Sequence, residues 1–114
     1  MPVIQSEIDV HSETFAANRE AMLAHIASFR DVEQKVLDKA AEAKAKFDKR
    51  GQLLPRERIN LLLDPGAPFL ELSSLAGYKL HDDKNGTPAG GGIIAGIGYI
   101  KGVRCLVLAN NSAI

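Results

Sequence analysis

The stretch that decides the fold is Pro88-Ala89-Gly90-Gly91-Gly92-Ile93-Ile94-Ala95-Gly96-Ile97-Gly98-Tyr99-Ile100-Lys101-Gly102-Val103-Arg104-Cys105-Leu106-Val107-Leu108-Ala109-Asn110. It reads as two strands around a tight turn. Ile93 to Ile100 is rich in β-branched and aromatic residues. Lys101-Gly102 interrupts the run, and glycine supplies the positive φ that a two-residue hairpin turn needs. Val103 to Ala109 is apolar apart from Arg104, a pattern that suits a sheet covered on both faces. Gly96 and Gly98 alternate on one side of the first strand. Alternating glycines in a strand mark close backbone approach or twist.

Working back toward the N-terminus, residues 77–92 are polar and glycine-rich, with His81-Asp82-Asp83-Lys84-Asn85-Gly86 at their centre. This reads as a mobile loop whose Asn85-Gly86 pair is a turn signal. Phe69 to Leu72 reads as a short strand, and Asp64-Pro65-Gly66 as a helix stop. Before it, Pro55-Arg56-Glu57-Arg58-Ile59-Asn60-Leu61-Leu62-Leu63 reads as a short helix, with proline at its first position and Ile59, Leu62 and Leu63 on one face. Further upstream, Phe15, Met22, Ile26, Phe29, Val32, Val36, Ala40, Ala43 and Phe47 recur mainly at threes and fours, the period of one helix face. The pattern fits one long helix or two with a bend. Ser12 can cap its start, Glu13 suits its positive end, Lys49 and Arg50 suit its negative end, and Gly51 can close it. Residues 1–11 read as a flexible arm.

The chain has 114 residues, enough for one small domain, and 46% are apolar. Fourteen basic residues balance fourteen acidic ones, so nothing suggests a nucleic-acid or membrane-surface protein. The single Cys105 excludes an intramolecular disulfide framework. No secretory signal is visible, and no apolar run is long enough to span a bilayer. The chain stops just after its most apolar strand, which suggests a fragment. Residues 12–114 would then be the opening of a larger domain.

Side-chain chemistry is sparse. Gly90-Gly91-Gly92 leads into a strand with no Lys-Ser/Thr behind it, so a P-loop fails on context. His11, His25 and His81 share no metal-ligand spacing. Asp82 and Asp83 are adjacent, and neighbours in an extended loop point apart. Ser73, Ser74 and Ser112 lack a nucleophile-elbow context. Cys105 sits in an apolar strand, where free cysteine is an inert small hydrophobe. No nucleophile–base pair can be built. The basic group Lys49, Arg50, Arg56 and Arg58 is the best binding candidate, because arginines beside free helix N–H groups suit a phosphate. Helix-end charge and an internal pair with Glu57 explain the same residues without a ligand.

Three blocks carry a family resemblance. They are Arg50-Gly51-Gln52-Leu53-Leu54-Pro55-Arg56-Glu57-Arg58-Ile59, then Leu61-Leu62-Leu63-Asp64-Pro65-Gly66-Ala67-Pro68-Phe69-Leu70-Glu71-Leu72, then Gly91-Gly92-Ile93-Ile94-Ala95-Gly96-Ile97-Gly98. In this order and spacing they resemble the N-terminal region of the carboxyltransferase (β) subunit of biotin-dependent acyl-CoA carboxylases. Leu75-Ala76-Gly77-Tyr78 and the triple-glycine loop look like the 3-methylcrotonyl-CoA and geranyl-CoA branch. His81-Asp82-Asp83-Lys84 and Leu106 to Ile114 lean toward the geranyl-CoA type.

The resemblance implies an α+β, crotonase-like fold of which this chain holds the opening elements: a long helix or helix pair, a short helix and a β-hairpin. It implies a ligase component that moves carboxyl from carboxybiotin to an unsaturated acyl-CoA. Two backbone oxyanion holes would do the chemistry, and both would lie beyond Ile114, so no catalytic residue is expected here and this chain alone should be inactive. Arg50, Arg56 and Arg58 are the expected contacts for CoA phosphates, chosen from their place around the start of the short helix and not matched to ligands of the family. The family often carries Lys where Gln52 stands, which leaves that position without a matched ligand. Biotin would arrive on a partner α subunit that also carries biotin carboxylase. No metal is expected in this chain. The subunit would self-associate, since family active sites form between subunits. Its expected place is the cytoplasm, or the mitochondrial matrix in a eukaryote. The rival expectation is a free-standing helical interaction module with no enzymatic role.

Overall fold

The computed structural model describes residues 2–80 and 89–114. His81, Asp82, Asp83, Lys84 and the Asn85-Gly86 turn signal lie outside the described residues. The element order is α1 (Glu13–Glu42), α2 (Lys44–Asp48), α3 (Pro55–Leu62), β1 (Leu70–Leu72), β2 (Ile93–Ile100) and β3 (Val103–Asn110). The chain divides into two compact units, Met1–Asp31 and Val32–Ile114.

In the first unit, residues 2–9 have no regular structure and are exposed. Helix α1 starts where the sequence says it should. The Phe15 N–H donates to Ser12 Oγ at 3.1 Å, and Glu13 occupies the first turn. This satisfies one free amide of the helix end and places a negative charge at its positive pole. The stripe Met22, Ile26 and Phe29 is present but open to solvent, at 59%, 36% and 41% exposure.

In the second unit the helical pattern breaks once, at Ala43, so α1 and α2 are two helices with a short joint. Gly51 closes α2 with φ +64°, and the Gln52 N–H reaches back to the Phe47 carbonyl at 3.0 Å. That is the left-handed closure glycine allows. Ala40, Phe47 and Ala113 form one small core, with Leu54 and Ile114 against it. Helix α3 begins at Pro55, and the Glu57 carboxylate accepts the Leu54 N–H at 2.8 Å.

The three strands form an antiparallel sheet in the order β1-β2-β3. Lys101 (φ +48°) and Gly102 (φ +75°) turn the β2–β3 hairpin, the paired positive φ of a tight two-residue turn. Asp64 clamps this turn from outside: its carboxylate accepts the Lys101 and Gly102 N–H groups at 2.6 and 2.7 Å. The Asp64 N–H in turn donates to the Tyr99 carbonyl at 2.8 Å. The expected helix stop is therefore also a latch on the hairpin.

A second core forms where α3 lies on the sheet. Ile59, Ile94 and Val107 are buried, with Leu63, Phe69, Ile100 and Ala109 around them. Gly96 and Gly98 make room for this layer. A Cβ on Gly96 would sit 2.3 Å from Phe69 Cζ and 2.8 Å from the Leu70 carbonyl oxygen. The alternating glycines thus mark the close approach read from the sequence.

One expectation is met in part. The run Val103 to Ala109 suits a sheet covered on both faces, but among the described residues only one face is covered. Val107 is buried while Leu106 and Leu108 are 65% and 66% exposed. Among the described strands β3 also stands at the edge of the sheet. Its apolar outer row is set by residue type, and no described element packs on it.

Candidate functional site

The expected phosphate-binding arginines do not converge. Arg56 lies on the first turn of α3, and its guanidinium donates two hydrogen bonds to the Glu71 carboxylate of β1, each 2.8 Å. Both side chains are about three-quarters buried. A two-pronged, partly desolvated pair of this kind holds helix to strand more firmly than a surface ion pair. A phosphate at Arg56 would have to share or displace Glu71. Glu71 was not singled out in the sequence. It stands opposite Gly96 in the β1–β2 ladder, fifteen residues from Arg56 in the chain.

Arg58 is different. It is exposed, makes no ion pair among the described residues, and borders an open groove of about 980 Å³. The groove runs between the α2–α3 connection, helix α3 and the outer half of β3. Its lining is mixed: Phe47, Leu53, Ile59 and Leu62 are apolar, while Gln52 and Ser112 carry polar groups. Arg50 is exposed one residue before Gly51, which also lines the groove. An apolar trough with a cation at its rim suits an amphipathic ligand with an anionic group.

The start of α3 carries a second charged cluster. Lys44 Nζ bridges Glu57 at 2.8 Å and Asp48 at 2.9 Å. The Glu57 carboxyl is held below its ordinary range, first by the Lys44 hydrogen bond and then by the Leu54 N–H. Lys44 is raised correspondingly by its bonds to Glu57 and Asp48. Glu57 is therefore engaged with Lys44, rather than with the neighbouring arginines as the ligand-free reading had it.

The other sequence candidates resolve into structural roles. Gly90, Gly91 and Gly92 all have positive φ, and the Gly90 N–H and Gly92 carbonyl bond to Ala76 and Asn111 within the chain. Ser74 Oγ donates to Glu33 at 2.7 Å. Cys105 is half-buried on the covered side of β3, its Sγ near the Val103 carbonyl. Among the described residues no group of three metal-ligating side chains gathers, and no helix is long and apolar enough to cross a membrane.

Comparison with known proteins gives this arrangement its context. The family model for the carboxyl transferase domain matches residues 46–114. The probable methylcrotonoyl-CoA carboxylase beta chain of Drosophila melanogaster is 41% identical over 98% of this chain and 19% of its own length. The methylcrotonoyl-CoA carboxylase beta chain of Arabidopsis thaliana is 42% identical over the same shares. Both are named as mitochondrial. Among solved structures, the beta subunit of Pseudomonas aeruginosa geranyl-CoA carboxylase is 77% identical. It superposes with a TM-score of 0.84, covering 99% of this chain and 21% of that one. A transcarboxylase 12S structure shares the fold at a TM-score of 0.63 and 21% identity, covering 82% of this chain and 19% of that chain. The chain thus spans about one-fifth of the length of these relatives. Its long helix, two short helices and small antiparallel sheet are an incomplete α+β piece of a crotonase-like carboxyltransferase fold. The chain belongs to the carboxyl transferase domain family.

Proposed function

We propose that this chain is the N-terminal part of the carboxyltransferase subunit of a biotin-dependent acyl-CoA carboxylase acting on a branched unsaturated acyl-CoA of the geranyl-CoA type. The observation that carries the reading is the 77% identity over nearly the whole chain to a geranyl-CoA carboxylase beta subunit, against 41–42% to methylcrotonoyl-CoA carboxylase beta chains. 3-Methylcrotonyl-CoA is the second acceptor to consider, because those relatives match over 98% of the chain.

In this reading, carboxyl passes from carboxybiotin, carried by a partner α subunit, to the acyl-CoA. Developing negative charge on the thioester oxygen would be met by backbone N–H donors further along the subunit. The present residues bind and frame. Arg58 stands at the groove rim as the contact for a CoA phosphate, and the apolar trough accepts the less polar part of the ligand. Arg56 contributes by locking α3 to β1 through Glu71, which fixes where Arg58 stands. The subunit works as an oligomer in the cytoplasm. By itself the 114-residue chain does not transfer carboxyl.

The test is calorimetric titration of the full-length subunit with geranyl-CoA, 3-methylcrotonyl-CoA and free CoA. Saturable binding of a thioester, weakened in Arg58→Ala, supports the reading. A full-length subunit that binds none of the three would overturn it.

A further inference from the structure

The Arg56–Glu71 pair also forms part of the wall of a second, smaller cavity of about 150 Å³. The whole wall belongs to the second unit, yet it gathers segments far apart in the chain: Glu33 on α1, Ser74 and Gly90 between β1 and β2, and Asn111 just past β3. Two polar atoms of this wall are buried with no hydrogen-bond partner among the described residues, Arg56 Nε and Asn111 Oδ1. The first is a donor and the second an acceptor. Arg56 gives its two terminal nitrogens to Glu71, each at 2.8 Å, which leaves Nε–H over. Asn111 is 4% exposed, and its backbone is fixed on both sides. Its N–H donates to the Gly92 carbonyl at 2.7 Å, and Ala113, two residues on, is buried with Ala40 and Phe47. Native proteins pair buried donors and acceptors, using ordered water where no side chain serves and the space is polar.

We propose that this cavity is an ordered-water site and that Asn111 is a positioning residue acting through it. A water that accepts from Arg56 Nε–H and donates to Asn111 Oδ1 ties the Arg56–Glu71 lock to the chain leaving β3. The wall selects water by its chemistry. A single occupant has to accept at Arg56 and donate at Asn111. An anion has no proton to give Asn111, and a metal cation is repelled by the Arg56 guanidinium. The cavity exceeds the roughly 30 Å³ that one water takes up in the liquid, so the bridging water has room for neighbours. Ser74 Oγ and Glu33, bonded to each other at 2.7 Å, add further polar wall for them. The bridge holds the guanidinium plane on the Glu71 carboxylate, and that pair holds the start of α3 on β1. Arg58 stands two residues further along the same helix. The inference rests on the acyl-CoA reading only in its kinetic consequence, and the water bridge stands apart from it.

The tests use the full-length subunit. A crystal structure fine enough to show ordered solvent needs no variant, and the proposal expects a water within about 3.2 Å of both Arg56 Nε and Asn111 Oδ1. A side chain or an ion seated there instead overturns it. The second test is a double-mutant cycle read by hydrogen exchange at the α3 and β1 amides. Asn111→Leu removes the acceptor at similar volume and should speed exchange about 10-fold, as loss of a buried hydrogen-bonded bridge does. In an Arg56→Lys background, which keeps a cation for Glu71 but has no Nε–H, the same change should add less than about threefold. An equal factor in both backgrounds overturns the proposal, because Asn111 then acts without Arg56. With a biotin-carrying α subunit present, Asn111→Leu should raise the KM for geranyl-CoA about threefold and leave kcat within about twofold, the mark of weakened binding. A purely structural loss lowers kcat through the folded fraction and leaves KM unchanged, and that result overturns the positioning role wherever Arg58→Ala raises KM. If Arg58→Ala leaves KM unchanged as well, the acyl-CoA reading fails, and the cycle and the crystal structure decide the water bridge.

Discussion

Replacing Gly96 by alanine tests the packing that sets α3 and the β1 connection on the sheet. The added Cβ would fall 2.3 and 2.4 Å from two Phe69 ring carbons and 2.8 Å from the Leu70 carbonyl oxygen. An ordinary carbon contact is about 3.5 Å, so the ring must retreat by about 1 Å. The carbonyl is the harder obstacle, because Leu70 is held in the β1–β2 ladder opposite Ile97. Overpacking a core commonly costs about 1–3 kcal/mol, and a backbone obstacle puts this case near the upper end, about 3 kcal/mol. The assay is native-state hydrogen exchange of the full-length subunit. About 3 kcal/mol corresponds to roughly 100-fold faster exchange for β1 and β2 amides that open locally. In a Phe69→Ala background the ring clash is gone and only the carbonyl remains. Gly96→Ala should then cost about 1–2 kcal/mol less, the signature of coupled neighbours. Gly98→Ala should be milder, about 1 kcal/mol, because its Cβ meets chiefly a Leu63 methyl at 2.6 Å, which can rotate away. Exchange in Gly96→Ala within threefold of wild type, or an equal cost in both backgrounds, would refute the packing argument.

Other outcomes follow from the same contacts. Asp64→Ala removes both acceptors of the hairpin turn and should cost about 1–2 kcal/mol, with Asp64→Asn intermediate, read as faster exchange at Lys101 and Gly102. Because the Glu57 carboxyl is lowered in the folded chain, its contribution is present above its ordinary value of 4.5 and is lost as pH falls through the lower folded value. Glu57→Gln should therefore flatten the acid side of a stability–pH profile. Lys44 is raised, so its contribution holds below 10.5 and fades as pH rises through the higher folded value, and Lys44→Met should flatten the alkaline side. Arg58→Ala should weaken acyl-CoA binding about 10-fold or more, as loss of a phosphate contact does, while leaving the melting temperature unchanged. Arg56→Ala should lower stability first, since it leaves Glu71 partly buried without its partner.

Much of the fold was legible because short-range chemistry fixes it. Ser12, Gly51, Pro55 and Lys101-Gly102 each impose a cap, a closure or a turn that few other residues could supply, and each appears where the sequence places it. The spacing of Gly96 and Gly98 announced a close approach. It could not say that Phe69 makes it, because that contact is set by tertiary packing. The single-helix reading and the two-helix reading could not be separated because Ala43 is a good helix former. The break there depends on how α2 packs, through Phe47, against Ala40 and Ala113. The apolar run of β3 was read as covered on both sides, since residue type records that a surface is meant to be buried but not which chain segment buries it.

The site was legible only in part. Arg50, Arg56 and Arg58 stood out as a basic group, and the sequence weighed an internal acid against a ligand. The structure divides them. Arg56 is drawn to Glu71, fifteen residues away, while Lys44 takes Glu57, so the internal pairing is real but with different partners. Long-range ion pairs of this kind leave no local signature. The Asp64 latch was hidden for a related reason: its turn chemistry explains its presence without revealing the hairpin it holds, 37 residues further on.

The most direct test is carboxyl transfer by the full-length subunit, combined with a biotin-carrying α subunit, ATP and labelled bicarbonate. With geranyl-CoA or 3-methylcrotonyl-CoA as acceptor, the account predicts label in the acyl-CoA and a thioester heavier by one carboxyl group, faster with geranyl-CoA. Charging of biotin without transfer to either thioester would contradict it.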